Sequence, residues 1–338
     1  MKQVRIIDTT MRDGMHAVSH SFGKEDITAI ASALEKAGVQ VVEISHGDGL
    51  GGSSFQYGFS KCSDCEVLET ASKVLHNSKI AVLLLPGIGT IEDLKMAADN
   101  NAKVVRVATH VTEADIGIQH IETAKKLGME AIGFLMMSHM ASPEKIVEQA
   151  KIFEDAGADM VYVTDSAGHM TPDAVADRIE AVKAALSIPI GFHAHNNLGL
   201  AVANTLQAVR CGAVSVDATC KGMGAGAGNC PTEVITAVLK LTETFETGID
   251  LYKIMDVADD VVMPRMHRPV SIDKNSLMIG YAGVYGSFLL HSLRAAEKFG
   301  VDARDILYEM GQRKTVGGQE DMILNVAYNL VQQRRRKA

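Results

Sequence analysis

The chain has 338 residues, of which 47% are hydrophobic and 22% are charged, and its formal net charge at pH 7 is −8. This acidic balance argues against nucleic acid as a partner, and no run approaches the roughly 18 apolar residues of a membrane span. Five cysteines, an odd number, argue against a disulfide framework. Because the first residues also lack the apolar segment of a signal peptide, we expect a soluble cytoplasmic protein.

Short β-branched or apolar runs alternate with amphipathic segments from the start of the chain. The predicted strands are residues 4–8, 41–45, 80–85, 104–109, 131–136, 160–165, 188–195 and 214–219. The clearest helices predicted between them are residues 24–37, 91–99, 142–156, 171–186 and 199–211. A count of eight strands predicts a closed parallel barrel, with a doubly wound open sheet as the alternative.

The alternation stops near residue 250. Helix-like segments follow at residues 253–262, 276–299, 303–311 and 318–333. We therefore predict an α/β fold, a (β/α)8 TIM barrel over residues 1–250, and an all-helical C-terminal domain over residues 251–338. Tyr281 and Tyr285 are predicted to share one face of a long helix, where they either lean over the barrel mouth or pack in the helical core.

Polar residues concentrate toward the carboxyl ends of the predicted strands. Arg12, Asp13 and His16 follow the first run, Glu43 and His46 lie in or after the second, His110 follows the fourth, Asp165 and Ser166 end the sixth, and His193 and His195 end the seventh. This is the face on which such barrels build active sites. The pattern predicts an enzyme whose site lies at that face.

Two histidines and one aspartate are the candidate metal ligands. His193 and His195 are two residues apart in a predicted strand, so both imidazoles point to one face. Asp13 would supply a third ligand, and this set suits Zn, Mn, Fe or Mg-like ions with positions left open for substrate. The histidine spacing alone is weak, because hydrogen-bonded core histidines give the same pattern.

These residues resemble a family of metal-dependent lyases and condensing enzymes that includes isopropylmalate synthase and hydroxymethylglutaryl-CoA lyase. The resemblance rests on Asp-Thr-Thr-Met-Arg-Asp-Gly at residues 8–14 and on Gly-Phe-His-Ala-His-Asn-Asn at residues 191–197. Within this family the chain is most similar to the 4-hydroxy-2-oxovalerate aldolases. That similarity is carried by His16 and by residues 46–54, 83–87, 165–168, 222–229 and 280–285.

The resemblance implies a divalent-metal-dependent (class II) retro-aldol cleavage of 4-hydroxy-2-oxopentanoate to pyruvate and acetaldehyde, with Mn²⁺ as the implied ion. Asp13, His193 and His195 would hold the ion. His16 would take the C4 hydroxyl proton, and Arg12 would stabilise the enolate oxygen. The chemistry is consistent with this, because no lysine lies in the motifs where a Schiff base is expected.

Other assignments are weaker. Ser166 would hold the pyruvate carboxylate, Tyr285 would contact the hydroxy end of the substrate, and Leu83 would line the aldehyde pocket. His193 would also lie against the substrate. The positions of Ser166, Tyr285 and Leu83 are equally compatible with ordinary barrel packing. Glu43 would orient Arg12 or serve a structural network only.

Two alternatives remain open. The glycine-rich residues 222–229 either pack closely as a loop or cradle a phosphate, and a cradle would favour acyl-CoA-dependent condensation or a hydroxymethylglutaryl-CoA-lyase-like reaction. His16 argues for the aldolase. An inactive barrel that serves as an assembly subunit is the other alternative, although Asp13, His193 and His195 are all present.

The resemblance also implies partners. Members of this family associate with an acylating acetaldehyde dehydrogenase that consumes the aldehyde, so substrate channelling through the helical domain is expected. An oligomer and a place in aromatic hydrocarbon catabolism are implied in the same way.

Overall fold

The computed structural model describes residues 1–337, and its central feature is a closed barrel of eight parallel strands. The eight barrel strands are β2 (Arg5–Met11), β3 (Val41–Ile44), β4 (Lys79–Leu84), β5 (Ala102–His110), β6 (Glu130–Met136), β7 (Met160–Asp165), β8 (Ile190–Ala194) and β9 (Ser215–Ala218), and the short strands β1 (Lys2–Gln3) and β10 (Phe245–Glu246) pair separately. The barrel runs from β2 to β9 in chain order, and β9 closes it by pairing with β2. The prediction of a (β/α)8 barrel is confirmed, and the open sheet is excluded.

Helices cover the outside of the barrel and form the C-terminal region. They are α1 (Lys24–Ala37), α2 (Asp64–Ser72), α3 (Ile91–Asp99), α4 (Ile118–Lys126), α5 (Pro143–Asp155), α6 (Pro172–Ala185), α7 (Ala201–Cys211), α8 (Thr232–Leu241), α9 (Leu251–Asp256), α10 (Lys274–Ala282), α11 (Phe288–Phe299), α12 (Ala303–Gln312) and α13 (Met322–Lys337). Among the described residues, no helix has both the length and the hydropathy that crossing a membrane requires.

Local signals explain where these helices begin and end. Ser63 and Thr90 each accept a hydrogen bond from the backbone N–H three residues on, and a carboxylate at that later position bonds back to complete a capping box. Gly38 and Gly212 end α1 and α7 in the left-handed region, at φ values of 86° and 116°. The observed bounds of α1, α3 and α7 agree with the predicted helices at residues 24–37, 91–99 and 199–211 to within two residues.

The buried apolar residues that the structure describes outside the barrel lumen form two separate hydrophobic clusters. One lies between the strands and the surrounding helices, and it extends along the chain to Val262. The other joins α10, α11, α12 and α13. The division of the chain after residue 250 remains a prediction, and the packing of Ile254 and Val257 in the first cluster favours a boundary beyond Val262.

One helix prediction was wrong. Residues 276–299 form α10 and α11 with a break between them, because Gly283 adopts a left-handed conformation at φ 65° and ends α10. Tyr281 therefore lies on α10, where it is 62% exposed and its ring stacks on Tyr308. Tyr285 lies in the link between the two helices, so these tyrosines do not share a helix face.

Candidate active site

Asp13, His193 and His195 come together at the carboxyl end of the barrel. Asp13 begins a short 3-10 helix just after β2, His193 lies in β8 and His195 follows it. The Nε2 atoms of His193 and His195 lie 3.8 and 3.6 Å from Asp13 Oδ2, and all three side chains are buried. The parallel strands place residues that are 180 positions apart on one edge, which is the arrangement that a metal centre requires.

Asp217 holds the ring of His193. Its Oδ2 atom lies 2.8 Å from Nδ1 of His193 and also accepts a hydrogen bond from Arg106. Burial alone would raise the pKa of Asp217, but the Arg106 guanidinium and His193 hold that pKa below its ordinary value. The ionised carboxylate therefore favours a proton on Nδ1, which leaves the Nε2 lone pair facing Asp13.

The Arg12 guanidinium is held by carboxylates on one side and lacks a hydrogen-bond partner on the other. Its Nε donates to Glu43 Oε2 at 2.6 Å, and its Nη1 donates to Asp13 Oδ2 at 2.9 Å. Its Nη2 is buried and has no hydrogen-bond partner among the described residues. A buried guanidinium nitrogen without a partner is costly unless a ligand oxygen accepts from it. Arg12 is therefore prepared to bind an anionic oxygen.

Glu43 both orients Arg12 and belongs to a buried structural network, the two roles between which the sequence could not decide. Besides orienting Arg12, it accepts from Arg106 Nε at 2.6 Å and from Arg106 Nη2 at 2.5 Å. The Arg106 side chain is entirely buried inside the barrel and lies over the ring of Phe134. Glu43 and Arg106 thus link Arg12 to Asp217 through one continuous ion-pair network.

The protonation states at the site suit a divalent cation. Burial would raise the pKa of Asp13, but Arg12, His195 and His193 hold it well below the ordinary value. Burial lowers the pKa of His195 to about 4 despite the attraction of Asp13. A carboxylate and neutral imidazoles are the forms that coordinate metal.

The side chain of Asn229, whose buried Oδ1 has no partner among the described residues, lies beside Asp13 across Gly224.

His16 lies on the same side of the barrel as Arg12. Both side chains border Gly47: Arg12 Nη1 lies 3.4 Å from the Gly47 carbonyl, and a Cβ atom at Gly47 would lie 2.7 Å from His16 Nε2. The His16 ring is half-buried and makes no hydrogen bond with other described residues. A ring nitrogen without a protein partner near the guanidinium is available to a substrate.

Ser166, Leu83 and Tyr285 lie around the barrel mouth or just below it. Ser166 follows β7, and its Oγ accepts a hydrogen bond from the Met137 backbone N–H at 3.0 Å. Leu83 lies in β4 and packs in the apolar cluster inside the barrel. The Tyr285 ring lies 6.4 Å from that of His110 at the end of β5, and burial raises the pKa of Tyr285. Contacts of these three residues with a substrate remain predictions.

Comparisons with known proteins identify the family of the chain. Residues 3–261 match the HMGL-like family, and residues 270–332 match a DmpG-like communication domain. The chain is 67% identical to a 4-hydroxy-2-oxovalerate aldolase of Carboxydothermus hydrogenoformans, over 97% of this chain and 98% of that relative. It is 61% identical to a 4-hydroxy-2-oxovalerate aldolase of Moorella thermoacetica, over 98% of each. The chain belongs to the 4-hydroxy-2-oxovalerate aldolase family. The resemblance drawn from its motifs is confirmed.

The fold extends beyond the 4-hydroxy-2-oxovalerate aldolase family. The carboxyl transferase domain of pyruvate carboxylase from Rhizobium etli superimposes with a TM-score of 0.81, over 98% of this chain and 61% of that one. The sequence identity is 18%, so this similarity concerns the fold alone.

In this member of the 4-hydroxy-2-oxovalerate aldolase family, the glycine-rich residues 222–229 pack closely against the site. A Cβ atom at Gly228 would collide with the Gly222 carbonyl, and one at Gly226 would lie 2.5 Å from Asn197 Oδ1. The Ala227 N–H already donates to Asn197 Oδ1 at 2.9 Å. Close loop packing accounts for these glycines.

Sequence reasoning did not select Arg106 or Asp217 as residues of the site. Each is a charged residue with an apolar neighbour on either side in its strand, β5 and β9 respectively, and both are buried. Because charged side chains are rarely buried without partners, a charge inside a predicted strand was a usable signal. The sequence could not show that the partners are Glu43 and His193.

Proposed function

We propose that the chain catalyses divalent-metal-dependent retro-aldol cleavage of 4-hydroxy-2-oxopentanoate to pyruvate and acetaldehyde. The family assignment makes it a lyase, and the observation that supports this reaction most directly is the convergence of Asp13, His193 and His195 beside Arg12. An inactive assembly subunit would not need an unpartnered Arg12 Nη2 next to a complete set of metal ligands.

The residues divide the chemistry among them. Asp13, His193 and His195 would hold the ion, which supplies Lewis-acid stabilisation of the 2-oxo group. Arg12 Nη2 donates to the oxygen on which negative charge develops. His16 accepts the C4 hydroxyl proton as the C3–C4 bond breaks, and C3 of the resulting enolate then takes a proton to give pyruvate.

Substrate contacts extend this proposal. Ser166 Oγ accepts from Met137 and lies 3.2 Å from Thr164 Oγ1, so its O–H would turn from Thr164 to a carboxylate oxygen of the substrate. Tyr285, held between α10 and α11, would contact the hydroxy end of the substrate, and Leu83 would limit the aldehyde pocket. His193 would border the bound 2-oxo acid. The support for these roles is position near the carboxyl ends of β4, β5, β7 and β8.

Mn²⁺ is the proposed ion. Two imidazoles and one carboxylate, with positions left for the oxygens of a 2-oxo acid, are compatible with Mn²⁺, whose geometric demands are modest. The same donors bind Zn²⁺ more tightly, so availability in the cell would decide the resident ion.

The C-terminal helices suggest a partner. We propose that residues matching the DmpG-like communication domain bind an acylating acetaldehyde dehydrogenase, which would receive the reactive aldehyde by channelling. Exposed side chains of Leu277, Tyr281 and Tyr308 supply apolar surface in this region. An oligomer, a cytoplasmic location and a place in aromatic hydrocarbon catabolism belong to the same proposal.

The test is pyruvate release from 4-hydroxy-2-oxopentanoate by chelator-stripped protein, with and without added Mn²⁺. We expect cleavage to return with the metal and to be lost in Asp13→Ala and His16→Ala, while His76→Ala, an exposed histidine, retains it. Absence of cleavage with every metal, together with acetyl-CoA consumption in the presence of a 2-oxo acid, would identify a condensing enzyme instead.

A further inference from the structure

A second group of metal-binding side chains lies beside the proposed base. His16, His20 and Asp48 each present one ligand atom, and these atoms lie within 4.8 Å of one another. The group shares no residue with Asp13, His193 and His195. Two of its members follow β2 and the third follows β3, so neighbouring strand ends bring them together.

The three side chains have few polar partners among the described residues: Asp48 Oδ2 lies 3.5 Å from His46 Nδ1, and the His20 ring contacts the Tyr57 backbone. Among the described residues, no hydrogen bond reaches the His16 ring or the Asp48 carboxylate, and His20 Nδ1 is buried without a partner. His46 differs, because its Nδ1 accepts the Asp48 N–H at 3.0 Å and its Nε2 lies 3.1 Å from the Gly58 carbonyl. Buried polar groups normally find a partner, so the unpartnered Nδ1 of His20 requires an explanation.

The state of His20 suits coordination. Its side chain is 6% exposed, and its ring stacks on that of His46 with centroids 3.8 Å apart. Burial, together with His16 and His46, lowers the pKa of His20 to about 3, so the ring is neutral at physiological pH. A neutral, rigidly held imidazole is a metal ligand that needs no deprotonation.

We propose that His16, His20 and Asp48 form a second site for Zn²⁺ and that its occupation inhibits the enzyme by capturing the lone pair of His16. Two imidazoles and a carboxylate are a common Zn²⁺ donor set. Binding to these residues does not depend on the proposed function, whereas the inhibitory consequence rests on it.

The three ligand atoms must move closer together to bind Zn²⁺. We expect this site to bind Zn²⁺ more weakly than the site formed by Asp13, His193 and His195. Ligand atoms around a tetrahedral Zn²⁺ lie about 3.3 Å apart, given bond lengths of about 2.0–2.1 Å. Half-buried His16 and Asp48, whose side chain is 27% exposed, have room to close the difference. Within the part of the chain that the structure describes, no carboxylate orients either ring as Asp217 orients His193, and loss of such orientation typically costs about 10–100-fold in affinity.

The experiment counts zinc ions per chain. Metal-free protein is dialysed to equilibrium against increasing Zn²⁺, and bound Zn²⁺ is measured by elemental analysis. We expect two equivalents in the wild type, the second bound at least tenfold more weakly. Asp48→Asn and His20→Gln should each bind one, Asp13→Ala should retain the second site, and Asp99→Asn, an exposed carboxylate elsewhere, should bind two. A single equivalent in the wild type, or two in both Asp48→Asn and His20→Gln, would overturn the site.

Inhibition is measured separately on the Mn²⁺-loaded enzyme. Asp48→Asn should cleave substrate at a rate within about twofold of the wild type without Zn²⁺ and should need at least tenfold more Zn²⁺ for half-inhibition. Equal sensitivity of both proteins would mean that Zn²⁺ acts by replacing Mn²⁺ at Asp13, and the inhibitory role would be rejected. If the proposed cleavage itself fails, the dialysis result still decides whether the site exists.

Discussion

His193 Nδ1 and Asp217 Oδ2 lie 2.8 Å apart, and this contact leaves Nε2 of His193 facing Asp13. Asp217→Asn keeps the size of the side chain but removes the charge that favours a proton on Nδ1. We expect Mn²⁺ affinity to fall by about 10–100-fold. Titration of the metal-free protein by calorimetry measures this, with Asp99→Asn as the control. Unchanged affinity in Asp217→Asn would show that the contact does not orient the ligand.

Arg12→Lys tests the role of Arg12 Nη2, the buried nitrogen without a hydrogen-bond partner. A lysine retains the charge but cannot pair with Glu43 and Asp13 while also donating in the Nη2 direction. We expect kcat for pyruvate release to fall by about 10²–10³-fold, the size of effect seen when one donor to a developing oxyanion is removed. Arg304→Lys, at an exposed position, should leave kcat unchanged. A fall confined to KM would contradict transition-state stabilisation by Arg12.

Arg106→Met tests the buried network as a source of stability. Glu43 and Asp217 would remain buried without their shared cation, and breaking a buried pair in this way costs about 3–5 kcal/mol. Guanidinium unfolding followed by circular dichroism measures the loss of unfolding free energy. Arg304→Met removes an exposed pair and should change it by less than about 1 kcal/mol. Similar stabilities of the two variants would rule out this role.

The metal-free protein should lose stability as the pH falls from about 6.5 toward 4. Burial lowers the pKa of His195 to about 4 and that of His20 to about 3, whereas histidines in an unfolded chain titrate near 6.5. Between these values the unfolded chain binds more protons, so the free energy of unfolding falls as pH drops from about 6.5 toward 4. Each group contributes at most about 1.4 kcal/mol per pH unit.

Denaturant unfolding at pH 7, 6 and 5 measures this effect. His20→Gln removes one of several such groups, since burial also lowers the pKa of His139 to about 3, and should therefore reduce the dependence, whereas His76→Ala, at an exposed position, should not. A free energy of unfolding that stays constant from pH 7 to pH 5 in the wild type would show that the two histidines are not held neutral by the fold.

The barrel could be predicted because its signals are local, whereas Asp13 was joined to His193 and His195 through their common barrel face and the family resemblance. Apolar runs, helix caps and the alternation of side chains in β8 each depend on a few neighbouring residues. The link between Arg106 and Asp217 could not be predicted in this way, because it joins residues 111 positions apart through the closed barrel. The break at Gly283 was missed because a glycine within an apolar segment does not by itself reveal a left-handed conformation.

The ion-pair network joins Arg12, on the substrate side, to His193, a proposed metal ligand, through Glu43, Arg106 and Asp217. Effects of substitutions within it will not add, because each member sets the position or charge of the next. These five positions, supplied by five different segments of the barrel, are therefore expected to change in concert or not at all as the lineage diverges.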